Sequence, residues 1–485
     1  MNYKHKILSI FVLLLGLTSC DSYLDETPDN RQELKTLENL QELLVSAYSE
    51  GSYGFIEWKT DNAVAIKDNS QYDWMTENFQ FKPVVSYEGQ DTPNYLWDNN
   101  YKAISHSNQV LAALPSIKHN DQDMANAIKG EALISRAYNH FLIASVFCQT
   151  YEEASASTDL GIPYITAPET ALQVKYERGT LKETYDMVEK DLLEALPLLN
   201  DQYFKGSGKY HFNKRAAYAF ASRFYLFKKD YEKCIEYSNL LIGTGVPTAN
   251  SMRNMGAVFS GNNFKEIGAQ FIDVQDPSNL LVVRKESGYV TRGTRGYRSD
   301  ATTFKTLYKL TIQVGQISSE SDTRYQPWGG STDARYQPKF PEYFRYITAT
   351  TGYPYYIHPE LRAEEVIFNR MEAYVMTNKT DAALADYNAF APTRYKKGGQ
   401  LTLKNITAYY PNGTEQEKLI QFVLDEKRKE FLNEGLRWWD VKRHNLPITH
   451  IDVTGDEYKL EAKDLKKAIQ VPAKAISQGI QANPR

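Results

Sequence analysis

The chain has 485 residues, 24% of them charged, and a formal net charge of −4, with an isoelectric point of about 6.1 and a mean hydropathy of −0.53. Nucleic-acid binding calls for a basic surface, so that class falls away, and no second long apolar run follows the first twenty residues, which excludes a polytopic membrane protein. Three cysteines are too few for a disulfide scaffold, while the length alone would allow about three domains.

Residues 1–19 read as an export signal. Lys4 and Lys6 give a positive start, residues 7–17 an apolar run, and Leu17, Thr18 and Ser19 lead into Cys20. That is the pattern of a secretory signal, and ending it on cysteine makes a lipobox: cleavage before Cys20, with acyl chains on the thiol and the new amino group. The run is shorter than the roughly 20 residues a spanning helix needs, and stable anchoring takes more than one acyl chain. Residues 20–32, polar and carrying Pro28, then form a lipidated tether, and residues 33–485 a single domain.

Leu37, Leu40, Leu44, Ala47 and Tyr48 recur at helical spacing and predict a helix over 34–49. Residues 52–93 break that rhythm with Gly51, Gly54, Pro83, Gly89 and Pro93 at or inside their borders, and read as loops and short strands. Helical patterning returns over 94–114, 121–149, 181–199, 213–227 and 231–241. The turn at 205–209 is only superficially a phosphate loop, because Tyr210 stands where Ser or Thr should follow the lysine. Residues 243–359 lose the helical period and read as a long irregular segment of the functional kind. Helices resume over 360–376, 381–390 and 415–433, and 467–485 reads as short extended pieces. Cys148 and Cys234 fall on apolar helical stretches and read as buried free thiols.

Some helices come in similar pairs. Ala219, Ala221 and Tyr225 precede Tyr231, Cys234 and Tyr237; Arg370, Ala373 and Tyr374 precede Ala383, Leu384 and Tyr387. Small residues let two helices approach, and an aromatic fills the groove beside them, as in tetratricopeptide hairpins. The fold class expected is mainly α, a scaffold of such pairs over about 34–51, 94–149, 181–241 and 360–443, with a loop-rich, short-strand subregion from 52–93 and 243–359 packed on one side.

Residues 425–443 carry a charged helix followed by Glu434, Gly435, Arg437, Trp438, Trp439, Asp440 and Arg443. This closely resembles the motif of the SusD/RagB family. Other segments align with that family in the same order: Cys20, Tyr23, Leu24 and Asp25; Trp97, Tyr101, Ile104 and Asn108; Glu131, Ala132, Arg136 and Phe141; Leu361, Arg362 and Glu365, with Glu364 where alanine is usual; and Pro472 with Asn483 and Pro484, though the usual closing Gly-Tyr is missing. The resemblance implies a lipid-anchored, non-enzymatic nutrient-binding protein on the outer-membrane surface. It would capture an oligosaccharide, or in the RagB branch an oligopeptide, and deliver it to a SusC-like TonB-dependent barrel.

The residues themselves offer no catalytic constellation. The charged run at Asp425–Glu430 supplies opposite-sign pairs at helical spacing, Asp425 with Lys429 and Lys427 with Glu430, so Arg428, Glu430, Glu434, Gly435, Arg437, Trp438, Asp440 and Arg443 read as structural. No His or Cys spacing suits a metal, and no dinucleotide or nucleophile motif calls for a cofactor. Aromatics within irregular segments are the better ligand candidates: Tyr72, Asp73 and Trp74; Tyr289, Arg292 and Tyr297; Tyr325, Gln326 and Trp328. A flat ring stacks on the C–H face of a sugar while polar neighbours take its hydroxyls. Tyr72, Trp74 and Trp328 are expected to converge on one exposed platform.

Overall fold

The computed structural model describes residues 34–67, 71–169, 174–204, 206, 208–260, 263–290, 296–309, 322–329, 332–397 and 399–485. Cys20, the tether and Arg292 lie outside them, as do Asp68, Asn69, Ser70, Thr291, Arg295 and Gly330.

The chain opens with α1 (Leu37–Leu44), begun where the Thr36 side chain accepts a hydrogen bond from the Asn39 N–H at 3.2 Å. A 3₁₀ turn at Gly54–Lys59 and a short α2 (Asp73–Phe79) occupy the segment expected to hold loops and strands. Helix α3 (Pro93–Ala113) starts with proline just inside a Thr92 cap. Helix α4 (Gln122–Phe147) is buried on nearly every side from Gly130 onward, polar residues such as Glu131 and Arg136 included, and runs through the core, which is why its sequence shows so little amphipathic contrast. A Thr180–Glu183 capping box starts α5 (Leu181–Ala195). Helix α6 (Lys214–Lys228) ends at Lys229 in the left-handed region (φ 64°), and Asp230 caps the next helix, α7 (Tyr231–Ile242).

The segment expected to be irregular is more regular than its composition suggests. It holds α8 (Met255–Val258), α9 (Phe264–Phe271), strand β1 (Asn279–Glu286), α10 (Ala301–Lys309), β2 (Tyr343–Tyr346) and β3 (Gly352–Arg362). The strands form an antiparallel sheet in the order β1-β3-β2, with Glu286 opposite Tyr355 and Tyr355 opposite Tyr343. Val283, Lys285, Tyr356 and His358 turn inward and are buried. Residues directly opposite share a face, so Arg284, Glu286, Tyr355, Tyr353, Tyr343 and Arg345 occupy the other one.

β3 runs straight into α11 (Ala363–Met376), followed by α12 (Thr380–Phe390), α13 (Leu403–Tyr409), α14 (Glu415–Glu430) and α15 (Leu436–Arg443). The hairpin β4 (Ile448–Ile451)/β5 (Glu457–Leu460) and the short α16 (Ala473–Ser477) close the chain.

Neighbouring helices pack in succession: α3 on α4, α4 on α5, α6 on α7, α7 on α11 and α11 on α12. Buried arginines tie them together. Arg136 of α4 donates to both oxygens of Asp191 on α5 at 2.7 Å, Arg223 of α6 to both of Glu365 on α11 at 2.6 Å, and Arg370 of α11 to both of Asp386 on α12 at 2.7 and 2.8 Å. Such forks are the strong, directional kind of ion pair. Glu131 accepts from Tyr48 at 2.6 Å and contacts His211 at 2.8 Å, again bridging elements. Cys148 and Cys234 are buried free thiols. Among the described residues no helix is long and apolar enough to cross a membrane.

Candidate ligand platform

The charged motif is an internal ion-pair web. Glu426, Lys427, Lys429 and Glu430 are all buried, and the pairs expected along the helix give way to others. Lys427 reaches Asp440 at 2.9 Å, Lys429 reaches Glu426 at 2.6 Å, and Asp425 accepts from Tyr410 at 2.8 Å. Glu430 accepts from Arg394 Nε at 2.7 Å and faces Arg362 at 3.4 Å and Arg324 at 3.5 Å. Glu434 takes Arg362 and Lys339 at 2.9 and 2.7 Å. Glu364, at the position where alanine is usual, is buried and accepts from Arg394 and from the Arg253 N–H at 3.2 and 2.8 Å.

Arg437 and Arg428 both hold Asp61 at 2.9 Å, and Arg443 grips Glu372 at 2.6 Å. Gly435 has φ +83°, and a Cβ there would meet Ile56 at 3.2 Å and Tyr53 at 3.3 Å, so the turn between α14 and α15 requires glycine. Trp438 and Trp439 are core residues. Every carboxylate of this motif is engaged by a cation or a hydroxyl of the fold.

The aromatic segments divide. Tyr72 and Trp74 meet Tyr289: ring centroids lie 5.9 Å apart for Tyr72–Tyr289 and 5.3 Å for Trp74–Tyr289. Tyr72 is 45% exposed, but Trp74 is only 6% exposed, so Trp74 is not the open ring expected from the sequence. It is the floor, wedged against Trp58 at 5.4 Å and Tyr87 at 5.5 Å. Helix α2 turns it inward because Trp74, Met75, Asn78 and Phe79 form that helix's buried side, leaving Asp73 exposed.

Tyr297 is also a correction: it is buried, stacked on Phe79 at 3.8 Å. Tyr325 is half-buried against Phe304 and Tyr308 at 5.8 and 5.9 Å. Trp328 packs on a separate apolar cluster that includes Phe259, Phe271 and Phe340, and no ring contact joins it to Trp74. Gln326, next to it, sits in a tight turn whose N–H donates to the Arg324 carbonyl at 2.8 Å. Trp328 therefore makes no ring contact with Tyr72 or Trp74, and the cluster it packs on also takes in Val290, the residue after Tyr289.

Two platform residues escaped the sequence reading. Tyr87 is 46% exposed and completes the rim. Its ring folds over Gly89, where a Cβ would lie 2.0 Å from the Tyr87 hydroxyl. Burial raises the Tyr87 pKa, helped by Asp91 and then by Tyr353, which is exposed on β3. The Gly-Gln-Asp sequence after Tyr87 was the available signal, a turn beside an aromatic.

Beneath the rim, Asp91 (φ 63°) accepts from the Gly288 N–H at 2.9 Å. Burial pushes its pKa up to about 6 despite that hydrogen bond and one from Ser287, and one of its oxygens has no partner in the described structure. Arg298 donates to the Tyr289 carbonyl at 2.5 Å and steadies the loop from below. The platform thus presents Tyr72 and Tyr87 to solvent with the half-buried Tyr289 beside Tyr72, and Asp73 and Gln90 at its edges.

Beside the platform lies a cavity of about 520 Å³ between α3 and the outer face of the β1-β3-β2 sheet. A second, of about 540 Å³, lies across α3 against residues 163–176 and α16. Among the described residues no cluster of His, Cys, Asp and Glu is arranged to hold a metal ion.

The geometry meets its relatives at this point. Residues 22–226 match a family model described as starch-binding associating with outer membrane, and residues 253–482 match that of the SusD family. A SusD-like protein of Formosa agariphila is 23% identical, over 92% of this chain and 93% of its own. A SusD superfamily protein of Bacteroides thetaiotaomicron superposes with a TM-score of 0.65 at 19% identity, covering 93% of this chain and all of its own. A SusD-like carbohydrate-binding protein of Bacteroides vulgatus does so with a TM-score of 0.63 at 18% identity, covering 92% and 96%. Those two solved structures share the fold, the two consecutive models span nearly all of the sequence, and the chain belongs to the SusD/RagB family.

Proposed function

We propose that this protein is a non-enzymatic nutrient receptor, lipid-anchored through Cys20 on the outer face of the outer membrane. It captures oligosaccharides on the Tyr72–Tyr87–Tyr289 platform and passes them to a SusC-like TonB-dependent barrel. The observation that carries the reading is the pairing of an open tyrosine rim with a buried tryptophan floor. Such rims are rigid and lose little conformational freedom on stacking. The carboxylates of the charged motif are taken up by internal ion pairs and hydrogen bonds, so the motif offers no free carboxylate pair of the kind hydrolysis needs, which favours binding. The carbohydrate-binding relative from Bacteroides vulgatus favours a sugar over a peptide.

The test is a glycan array run beside a peptide array, followed by titration of the best ligand. The reading expects binding to an oligosaccharide, recovered unchanged after long incubation, and weakened at least tenfold by Tyr289→Ala. Capture of peptides with no glycan bound would instead assign the protein to oligopeptide uptake.

A further inference from the structure

The cavity beside the platform is electrostatically unlike the chain around it. The protein as a whole carries −4, yet the walls of this cavity carry Lys102 from α3, Arg284 from β1 and Arg345 from β2 against the single carboxylate of Glu50. Both guanidinium groups are pre-set. Arg284 donates through one terminal nitrogen to Glu50, and Arg345 through one to the buried Glu286. Each also lies over a ring of the same sheet face: Arg284 sits 5.7 Å from the Tyr355 centroid and Arg345 5.8 Å from that of Tyr353. A guanidinium held by one edge and one face keeps its remaining N–H donors for a planar anion, and its geometry matches carboxylate and sulfate.

Lys102 is exposed, and its side-chain ammonium has no hydrogen bond or ion pair among the described residues. Tyrosines supply the apolar part of the surface. Tyr48 and Tyr210 line the cavity, and Tyr343 stacks on Tyr355 at 5.5 Å. The cavity and the rim are connected through the same residues. Gln90, which follows the Tyr87 turn, donates to Glu286 and to the Pro354 carbonyl at 3.5 and 3.4 Å, and Arg345 faces Tyr353, the neighbour of Tyr87.

We infer that this cavity is an anion-selecting subsite continuous with the platform, and that the ligand is an oligosaccharide whose rings bear carboxylate or sulfate groups. The inference rests on the oligosaccharide reading above and narrows it. Rings stack along Tyr72, Tyr87 and Tyr289 while a charged substituent further along the chain enters between Lys102, Arg284 and Arg345. Because these cations stand at a solvent-accessible wall, their contribution falls as salt screens it.

The experiment titrates the whole protein with a short oligogalacturonate, a short sulfated galactan, a neutral maltooligosaccharide and an acidic peptide of similar length, at low and high salt. One of the two anionic glycans binds more tightly than the neutral one, and the winner identifies the anion. Its affinity falls with added salt, and Lys102→Gln and Arg345→Gln each weaken it about tenfold, as the loss of one charged hydrogen bond does. The weak neutral binding is unchanged in Lys102→Gln, a variant whose melting temperature stays at the wild-type value because the side chain has no partner to lose.

Equal affinity for neutral and anionic glycans, with neutral binding still sensitive to Tyr289→Ala, overturns the subsite and leaves the platform standing. Binding of the acidic peptide with no glycan bound overturns both. Anionic-glycan binding that ignores salt and both substitutions also overturns the subsite.

Discussion

Neutralising Glu430 tests the assignment of the charged motif to structure. Its side chain is fully buried. It receives Arg394 through two hydrogen bonds of 2.7 and 2.9 Å and stands 3.4 Å from Arg362 and 3.5 Å from Arg324. Glu430→Gln keeps the shape but turns an N–H₂ toward guanidinium donors and leaves three buried cations short of one negative charge. Breaking a buried pair this way costs about 3–5 kcal/mol. With unfolding entropy near 2.1 cal/mol/K per residue, a chain of 485 residues loses about 1 °C for each kcal/mol, so the melting temperature should fall by about 3–5 °C.

The pH dependence has a definite sign. Burial raises the Glu430 pKa, but Arg394, Arg362 and Arg324 lower it further, and the net shift is well below its usual 4.5. The stabilisation is therefore complete above that value, and the gap between wild type and variant closes only as pH falls below it. Calorimetric and urea-induced unfolding between pH 3 and 8, with ligand titration alongside, reads both quantities. An unchanged unfolding midpoint with binding abolished would place Glu430 in the ligand site and refute the structural assignment.

Trp74→Ala should destabilise the protein by about 3–5 kcal/mol, because it empties the floor of the platform; exposed Tyr72→Ala should leave the urea midpoint nearly unchanged. Asp91→Asn should remove a pH-dependent loss of stability. The Asp91 pKa is raised from 3.8 to about 6, so its stability is full below the lower value and declines as pH rises through the upper one. At pH 7 the substitution should therefore stabilise by about 3 kcal/mol relative to pH 3.5, which paired melting curves would detect. Cys20→Ala should release the protein from the membrane fraction with its circular dichroism unchanged; persistent acylation would refute the lipid anchor.

The helical scaffold was legible because its periodicity is local. Leu37, Leu40 and Leu44 mark α1 by their spacing, and small residues such as Ala219 and Ala221 mark the close pair. The sheet was not legible. β3 carries Pro354 and Pro359, which read as strand breakers, and β1 shows almost no alternation because Leu280 to Val283 are all buried. Helix α15 was not legible either, because the helical reading stopped at 433 and residues 434–443 stood out only as a motif.

The charged helix misled in detail for a related reason. Its partners Arg324, Arg362 and Arg394 lie far away in sequence, and no helical spacing reveals them. The same distance explains the platform: Tyr72 and Tyr289 announced themselves by composition, but that Trp74 would turn inward, Tyr297 would stack in the core and Trp328 would join another cluster depended on packing that only the fold supplies.

The most direct test of the account is the affinity of the best array-selected oligosaccharide for the wild type, Tyr72→Ala, Tyr289→Ala and Trp328→Ala, each checked for an intact unfolding transition. The account predicts that both platform tyrosines weaken binding by tenfold or more and that Trp328→Ala, which packs on another apolar cluster and makes no ring contact with the rim, leaves it unchanged. Full affinity in the two tyrosine variants, or loss of binding in Trp328→Ala alone, would contradict it.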